Sequence, residues 1–165
     1  MRERGFEVVS EERFNEIMKK GGPAIGAKYD RIKLPERATE GSAGNDFFMP
    51  FTYSLLPGKA VVVPTFIKAY MMEDEFLEFH PRSGAGFKYF LRTANINPII
   101  DSDYYNNPDN EGIIMIKVRN EGTEMLIMRE GEAYFQGIFQ KYLKADGDNV
   151  RSKRVGGGGS TSRSE

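Results

Sequence analysis

Residues 60–86 read AVVVPTFIKAYMMEDEFLEFHPRSGAG. Two runs rich in Val, Ile, Phe and Tyr, AVVVPTFIKAYM and EFLEFH, are split by a polar break and end in a Pro- and Gly-bearing cluster. β-branched and aromatic residues suit strands, and Gly and Pro punctuate them. The same texture recurs from Ala27 onward in YDRIKL, GIIMIKV, EMLIMR and AYFQGIFQKYL, with breaks at LLPGK, NNPDNEG, NEGT and REGE. Many short strands with frequent turns predict an all-β sandwich or barrel. No long β-α alternation and no internal repeat interrupts this pattern.

Outside it, SEERFNEIMKK at 10–20 predicts a helix. Ser10 is placed to cap it, acids fill its first turn, and Lys19 and Lys20 its last. Phe14, Ile17 and Met18 share one face. GGP at 21–23 stops it. From about Ala145 the chain is polar, and RVGGGGSTSRSE at 154–165 has the composition of a flexible linker.

The chain has 165 residues, enough for one domain with a real core. Apolar residues make up 39% and charged residues 28%, which suits a globular protein, and 12 Phe and 8 Tyr supply bulk. A net charge of −1 gives no global attraction for nucleic acid or anionic lipid, so any anion site must be local. With no cysteine, disulfide frameworks and thiolate zinc sites are excluded, which fits a reducing cytoplasm. No apolar run approaches the roughly 18 residues of a membrane span, and the opening MRERGFEVVSEERF lacks the apolar stretch of a signal peptide.

Three stretches carry more charge and more small residues than plain strands need. LPERATEGSAGNDFFMP at 34–50 crowds small residues before Asp46, where backbone can approach a ligand closely. HPRSGAG at 80–86 offers a guanidinium from Arg82, a hydroxyl from Ser83 and an open amide at Gly84, a compact anion cradle. TANINPIIDSDYYNNPDNEGIIMI at 93–116 delivers Asp101 and Asp103 beside Tyr104. Each also reads as an ordinary polar turn.

Taken together and in order, these stretches resemble the five motifs of the trimeric deoxyuridine triphosphatases, the dUTPases, from about Tyr29 to Thr161. The motifs are ATEGSAGND, PRSGAG, NPIIDSDY, REGEAYFQ and RVGGGGST. The resemblance implies a jelly-roll-like β-clip fold assembled as a homotrimer with shared active sites. It divides the chain into a helical N-terminal extension at 1–25, a β domain at 26–144 and a flexible arm at 145–165 that closes over the active site of a neighbouring subunit. It further implies hydrolysis of dUTP to dUMP and pyrophosphate, with Mg²⁺ held mainly by the triphosphate, in the cytoplasm of a bacterial or virus-infected cell. Asp101 matches the acid that activates the attacking water, and Asp46 a supporting acid behind it. Arg82, Ser83 and Gly84 match the phosphate cradle from an adjacent subunit. Tyr104 matches the ring under the deoxyribose, and Asn95 the hairpin residue that reads uracil. Ile100, Met115 and Gln136 match further substrate contacts, as do Arg154, Gly159, Ser160 and Thr161 of the arm.

The pattern also departs from the family. Gly158 stands where a Phe usually stacks on the base, an interaction worth about 1–3 kcal/mol in comparable sites. Ala133 replaces a usual Arg, Asn45 a common Tyr and Pro98 a usual Gly. YNNPDNE at 105–111 reads as an insertion, which in some relatives serves partner binding. These departures keep open a catalytically weakened, nucleotide-responsive binding protein on the same fold. A relative of dCTP deaminase would need a Glu in the strand after the hairpin, where GIIMIKV has no acid.

Overall fold

A computed structural model of the chain describes residues 2–152, 154 and 156. Strand β7, Glu75–Pro81, shows why these segments become strands. Glu75, Leu77 and Phe79 are buried while Phe76, Glu78 and His80 between them are half-exposed. That alternation is the period of a strand with one face on a core. Strand β10, Met115–Asn120, repeats it, with Ile116, Val118 and Asn120 turned inward.

The other strands are β1 (Gly5–Val8), β2 (Glu36–Arg37), β3 (Asn45–Phe48), β4 (Tyr53–Leu55), β5 (Ala60–Pro64) and β6 (Ile67–Tyr70), then β8 (Leu91–Thr93), β9 (Ile99–Asp101), β11 (Leu126–Met128) and β12 (Ala133–Lys141). All pairings are antiparallel. The largest sheet runs β2-β3-β12-β7-β9, and a second runs β5-β10-β8. Phe47, Phe79 and Phe135 fill the core beneath the first sheet, and Val63, Ile116 and Val118 beneath the second. The result is the all-β architecture expected from the strand and turn pattern, in the jelly-roll-like form that the resemblance implied. No helix among the described residues is long and apolar enough to cross a membrane.

Two segments differ from the sequence expectation. YDRIKL is not a strand: Tyr29–Arg31 forms a single 3-10 turn. The Tyr29 hydroxyl donates to the Val9 carbonyl at 2.8 Å, an anchor that holds the segment in a turn. HPRSGAG does not end in a simple turn either, because Ser83–Tyr89 forms helix α2. Buried Ala85 seats that helix, and the Arg82 carbonyl accepts from Gly86 N–H at 2.9 Å.

Much of the segment 5–24 is built into the same core, through Val9, Phe14 and Ala24. Strand β1 pairs with β6. A Cβ on Gly5 would lie 2.5 Å from the Tyr70 hydroxyl, so β1 needs glycine at that point. Helix α1 spans Glu11–Lys20, and Ser10 accepts from Arg13 N–H as the expected cap. Phe14 packs 4.7 Å from the Phe66 ring, and Ile17 and Met18 lie against the core.

Arg4 ties this segment to β7. Its Nη2 donates to Glu75 Oε1 at 2.7 Å, and its Nε reaches both carboxylate oxygens at 3.1 Å. Those bonds hold the Glu75 carboxyl below the usual glutamate range. A carboxyl lowered on folding stabilises the fold above its ordinary range, and that contribution is lost as pH falls through the lowered value. Arg4→Met should therefore melt below wild type at neutral pH, with the gap narrowing on acidification. Thermal melts across pH check this.

Candidate active site

Two clusters of the expected residues form, at opposite ends of β7. The first gathers three of the sequence stretches around Arg82. Its backbone N–H donates to the Tyr134 carbonyl at 2.9 Å. Tyr134 sits where the β12–β3 register shifts between Ala133 and Phe135. Such a bulge re-aims the chain locally. The Arg82 guanidinium donates to the Ala133 carbonyl at 3.4 Å and pairs with Asp46 Oδ1 at 3.1 Å. Asp46 is largely buried while Arg82 remains partly exposed, so the acid holds the guanidinium at the surface. Gln136 lies opposite Asp46 on one side and His80 on the other. A Cβ on Gly44 would come within 2.0 Å of Gln136 Oε1, which explains a small residue just before Asp46. Ser83 and Gly84 lie exposed on the first turn of α2, with open space around Gly84.

The second cluster forms where β9 ends. Asp101 caps a 3-10 turn at Ser102–Tyr104. Asp101 and Asp103 are both about half exposed, and both pair with the guanidinium of Arg154. Its Nε lies 2.8 Å from Asp103 Oδ1, and its Cζ lies 5.7 Å from the Tyr104 ring centroid. The hydrogen bond to Asp103 raises the Arg154 pKa, with Asp101 adding to the effect despite partial burial. Arg154 thus meets the acids of its own chain. Gly158, Gly159, Ser160 and Thr161 lie outside the described residues.

Among the other expected contacts, Asn95 is exposed in a tight turn. The Thr93 hydroxyl donates to the Ile96 carbonyl at 2.6 Å, and Ile96 N–H returns to the Thr93 carbonyl at 3.2 Å. A cleft of about 770 Å³ opens beside this turn, lined by His80, Thr93, Ile96, Asn97, Lys117 and Arg119 among others. Ile100 packs partly buried on β9, and Met115 is exposed at the start of β10.

The structure separates the clusters clearly. Asp101 pairs with Phe76, near the start of β7, while Arg82 follows its last residue. Six residues at strand rise is about 20 Å. The resemblance implied that Arg82 serves the site of an adjacent subunit, and this spacing agrees with it, although motif order alone carries no register. The sequence reading missed the Asp46–Arg82 pair, whose members lie far apart in the chain.

The dUTPase family model matches residues 30–163. The chain belongs to the dUTPase family. A deoxyuridine 5′-triphosphate nucleotidohydrolase from Lactococcus lactis is 41% identical over 163 residues, covering 98% of this chain and 99% of that protein. The crystal structure of a dUTPase from Streptococcus mutans superposes with a TM-score of 0.69 at 33% identity, covering 87% of this chain and 99% of that one. A variant dUTPase from phage phi11 of S. aureus, in which a structural Mg(II) ion is coordinated, shares the fold at 17% identity and a TM-score of 0.65, covering 92% and 98%.

In this dUTPase the Asp46–Arg82 pair is buried at the carboxylate and open to solvent at the guanidinium. Solvent-exposed pairs are worth about 0.2–1 kcal/mol, and the open guanidinium sets this pair near that range. Asp46→Asn should leave the melting transition within about 1 kcal/mol of wild type by denaturant titration. A larger loss would make the pair mainly structural.

Proposed function

We propose that this chain hydrolyses dUTP to dUMP and pyrophosphate, with Asp101 activating the water that attacks the α-phosphorus. The observation that carries the reading is the cluster at the end of β9. An accessible carboxylate at Asp101, a guanidinium at Arg154 and the ring of Tyr104 meet at one exposed point. A carboxylate can take the proton of a water, a guanidinium can bind phosphate oxygens, and an aromatic ring can lie under a sugar. Tyr104 so placed excludes a 2′-hydroxyl by contact, which is discrimination by repulsion. Asn95 reads the uracil from the neighbouring turn, with Ile100 and Met115 completing the contacts.

The Arg82 cradle serves a phosphate chain, with Ser83 and Gly84 adding a hydroxyl and an amide. Its place beyond the far end of β7 supports a site shared between copies. A nucleotide lying at Asp101 meets the Arg82 of another chain rather than its own. Exposed apolar side chains such as Phe87, at 85%, and Ile96, at 82%, suit burial against such copies. A homotrimer satisfies this geometry with three equivalent sites. Asp46 fixes the guanidinium in advance, which lowers the cost of positioning phosphate.

Mg²⁺ fits the same cluster. Asp101 and Asp103 already converge on one cationic group, the Arg154 guanidinium, so the point between them favours positive charge. Mg²⁺ is commonly held by one or two carboxylates together with substrate phosphates and waters. The triphosphate would mainly hold it, and when bound it would neutralise phosphate charge, leaving the Asp101 carboxylate for the attacking water. Arg154 must leave Asp101 before that carboxylate can accept a proton. Phosphate oxygens offer the guanidinium an alternative set of acceptors, and the arm that follows it would then cover the nucleotide.

With Mg²⁺ present, the chain should release one pyrophosphate per dUTP. Asp101→Asn should still bind dUTP but turn over about 10²–10⁴-fold more slowly. Near-normal release by that variant would remove Asp101 from the chemistry. Ending the chain after Asn149 should leave the melting curve of the β domain intact yet cripple turnover, as read in the same assay. Full activity in the shortened chain would exclude Arg154 and the glycine-rich arm from the site.

A further inference from the structure

The insertion at 105–111 is folded around Tyr104. Asn107 is 5% exposed, and a buried amide is costly unless its bonds are made. Its Nδ2 donates to the Tyr104 carbonyl at 2.8 Å and to Asn110 Oδ1 at 2.7 Å. Its Oδ1 accepts from the backbone of Asp109 and Asn110 at 3.1 and 3.2 Å. Asn110 in turn donates through Nδ2 to the Tyr104 hydroxyl at 2.8 Å, and its Oδ1 accepts from Gly112 N–H at 3.0 Å. The hydroxyl donates onward to the Ile113 carbonyl at 3.0 Å. Both ends of the tyrosine are therefore gripped, the carbonyl by Asn107 and the hydroxyl by Asn110 and Ile113.

The return of the loop leaves no slack. Gly112 adopts φ +80°, and a Cβ there would lie 2.6 Å from the Tyr104 carbonyl oxygen. From outside, the N-terminal segment and β6 hold the loop down. Glu111 accepts from Ser10 N–H at 2.9 Å, from the Ser10 hydroxyl at 2.7 Å and from Lys68 at 2.8 Å. Lys68 also donates to Asn106 Oδ1 at 2.8 Å, Arg13 to the Asp109 carbonyl at 3.1 Å, and Tyr105 to Glu7 at 2.6 Å.

We propose that Asn107 and Asn110 are positioning residues for Tyr104, and that the insertion, anchored by the N-terminal segment, sets how strongly the site rejects a ribonucleotide. The inference rests on reading Tyr104 as the ring beneath the sugar. Excluding a single oxygen by contact demands a wall that does not yield. Functional groups must be held within about 0.5 Å of their working geometry, and rotamers are locked by supporting hydrogen bonds. A tyrosine tied only at its backbone could tilt away from a 2′-hydroxyl. A tyrosine tied at its hydroxyl cannot do so without breaking the bonds to Asn110 and Ile113.

The test measures the KM for dUTP and the inhibition constant of UTP against dUTP hydrolysis, on the full chain. The UTP inhibition constant divided by the KM for dUTP reports ribose rejection, which a merely structural loop would not alter. Asn110→Ala should lower that ratio about five- to tenfold, the usual effect of one lost hydrogen bond, with kcat little changed. Tyr104→Phe removes that bond together with the one to Ile113 while keeping ring and loop, and should lower the ratio at least as far. The double variant should fall by less than the two single effects combined, since both delete the Asn110–Tyr104 bond. Ser10→Ala, which loosens the anchor from outside, should shift the ratio in the same direction by less. An unchanged ratio in Tyr104→Phe overturns the proposal even if Asn110→Ala fails to fold, as does full additivity in the double variant. Tyr104→Ala separates the two levels of argument. If it leaves the ratio unchanged, Tyr104 is not the sugar-reading ring. If it collapses the ratio while Asn110→Ala and Tyr104→Phe do not, the ring reads the sugar without the brace.

Discussion

Strand β7 is hydrogen-bonded on both edges, to β12 along one and β9 along the other. That double pairing governs the arrangement of the whole molecule. The β12 side fixes Asp46, Gln136 and Arg82 near the end of β7. The β9 side fixes Asp101 near its beginning. A strand of this length is stiff, so the two chemistries cannot drift together within one chain.

Around that strand, polar groups are placed by burial and pairing. Asp46 is sunk beside a register shift and presents a guanidinium at the surface. Asp101 and Asp103 stay accessible, with Arg154 drawn to both. The first arrangement is preset, since its partners come from strands locked in one sheet. The second is exchangeable, since its cation sits near the end of a polar tail.

The N-terminal residues and the insertion after Tyr104 belong to one polar network. Glu7, Ser10, Lys68 and Glu111 bridge segments that are remote in sequence. Burial pushes the Glu111 carboxyl up, but its bonds from Lys68 and Ser10 outweigh this and hold it below the usual range. The Tyr105 hydroxyl is raised by burial and by its bond to Glu7. Such a network costs little once every member is satisfied, and it makes the loop it holds rigid. The ring of Tyr104 is held through that loop.

Local pattern was enough to read several features directly. Runs rich in Val, Ile, Phe and Tyr marked β5, β6, β7, β10, β11 and β12, because β-branched and aromatic residues suit strands. Ser10, the acids after it and GGP bounded the first helix, because capping is a local hydrogen bond. The order of the five motifs named the family. Other features depended on contacts between distant residues, which no local pattern encodes. The Tyr29 segment became a turn because its hydroxyl found Val9. Strand β1 formed because β6 offered an edge and Gly5 left room for Tyr70. The insertion looked like a tolerated surface loop, and its grip on Tyr104 appeared only when Asn107 and Asn110 were folded back onto it. The distance between Asp101 and Arg82 followed from strand register, which is a property of the sheet and of no single segment.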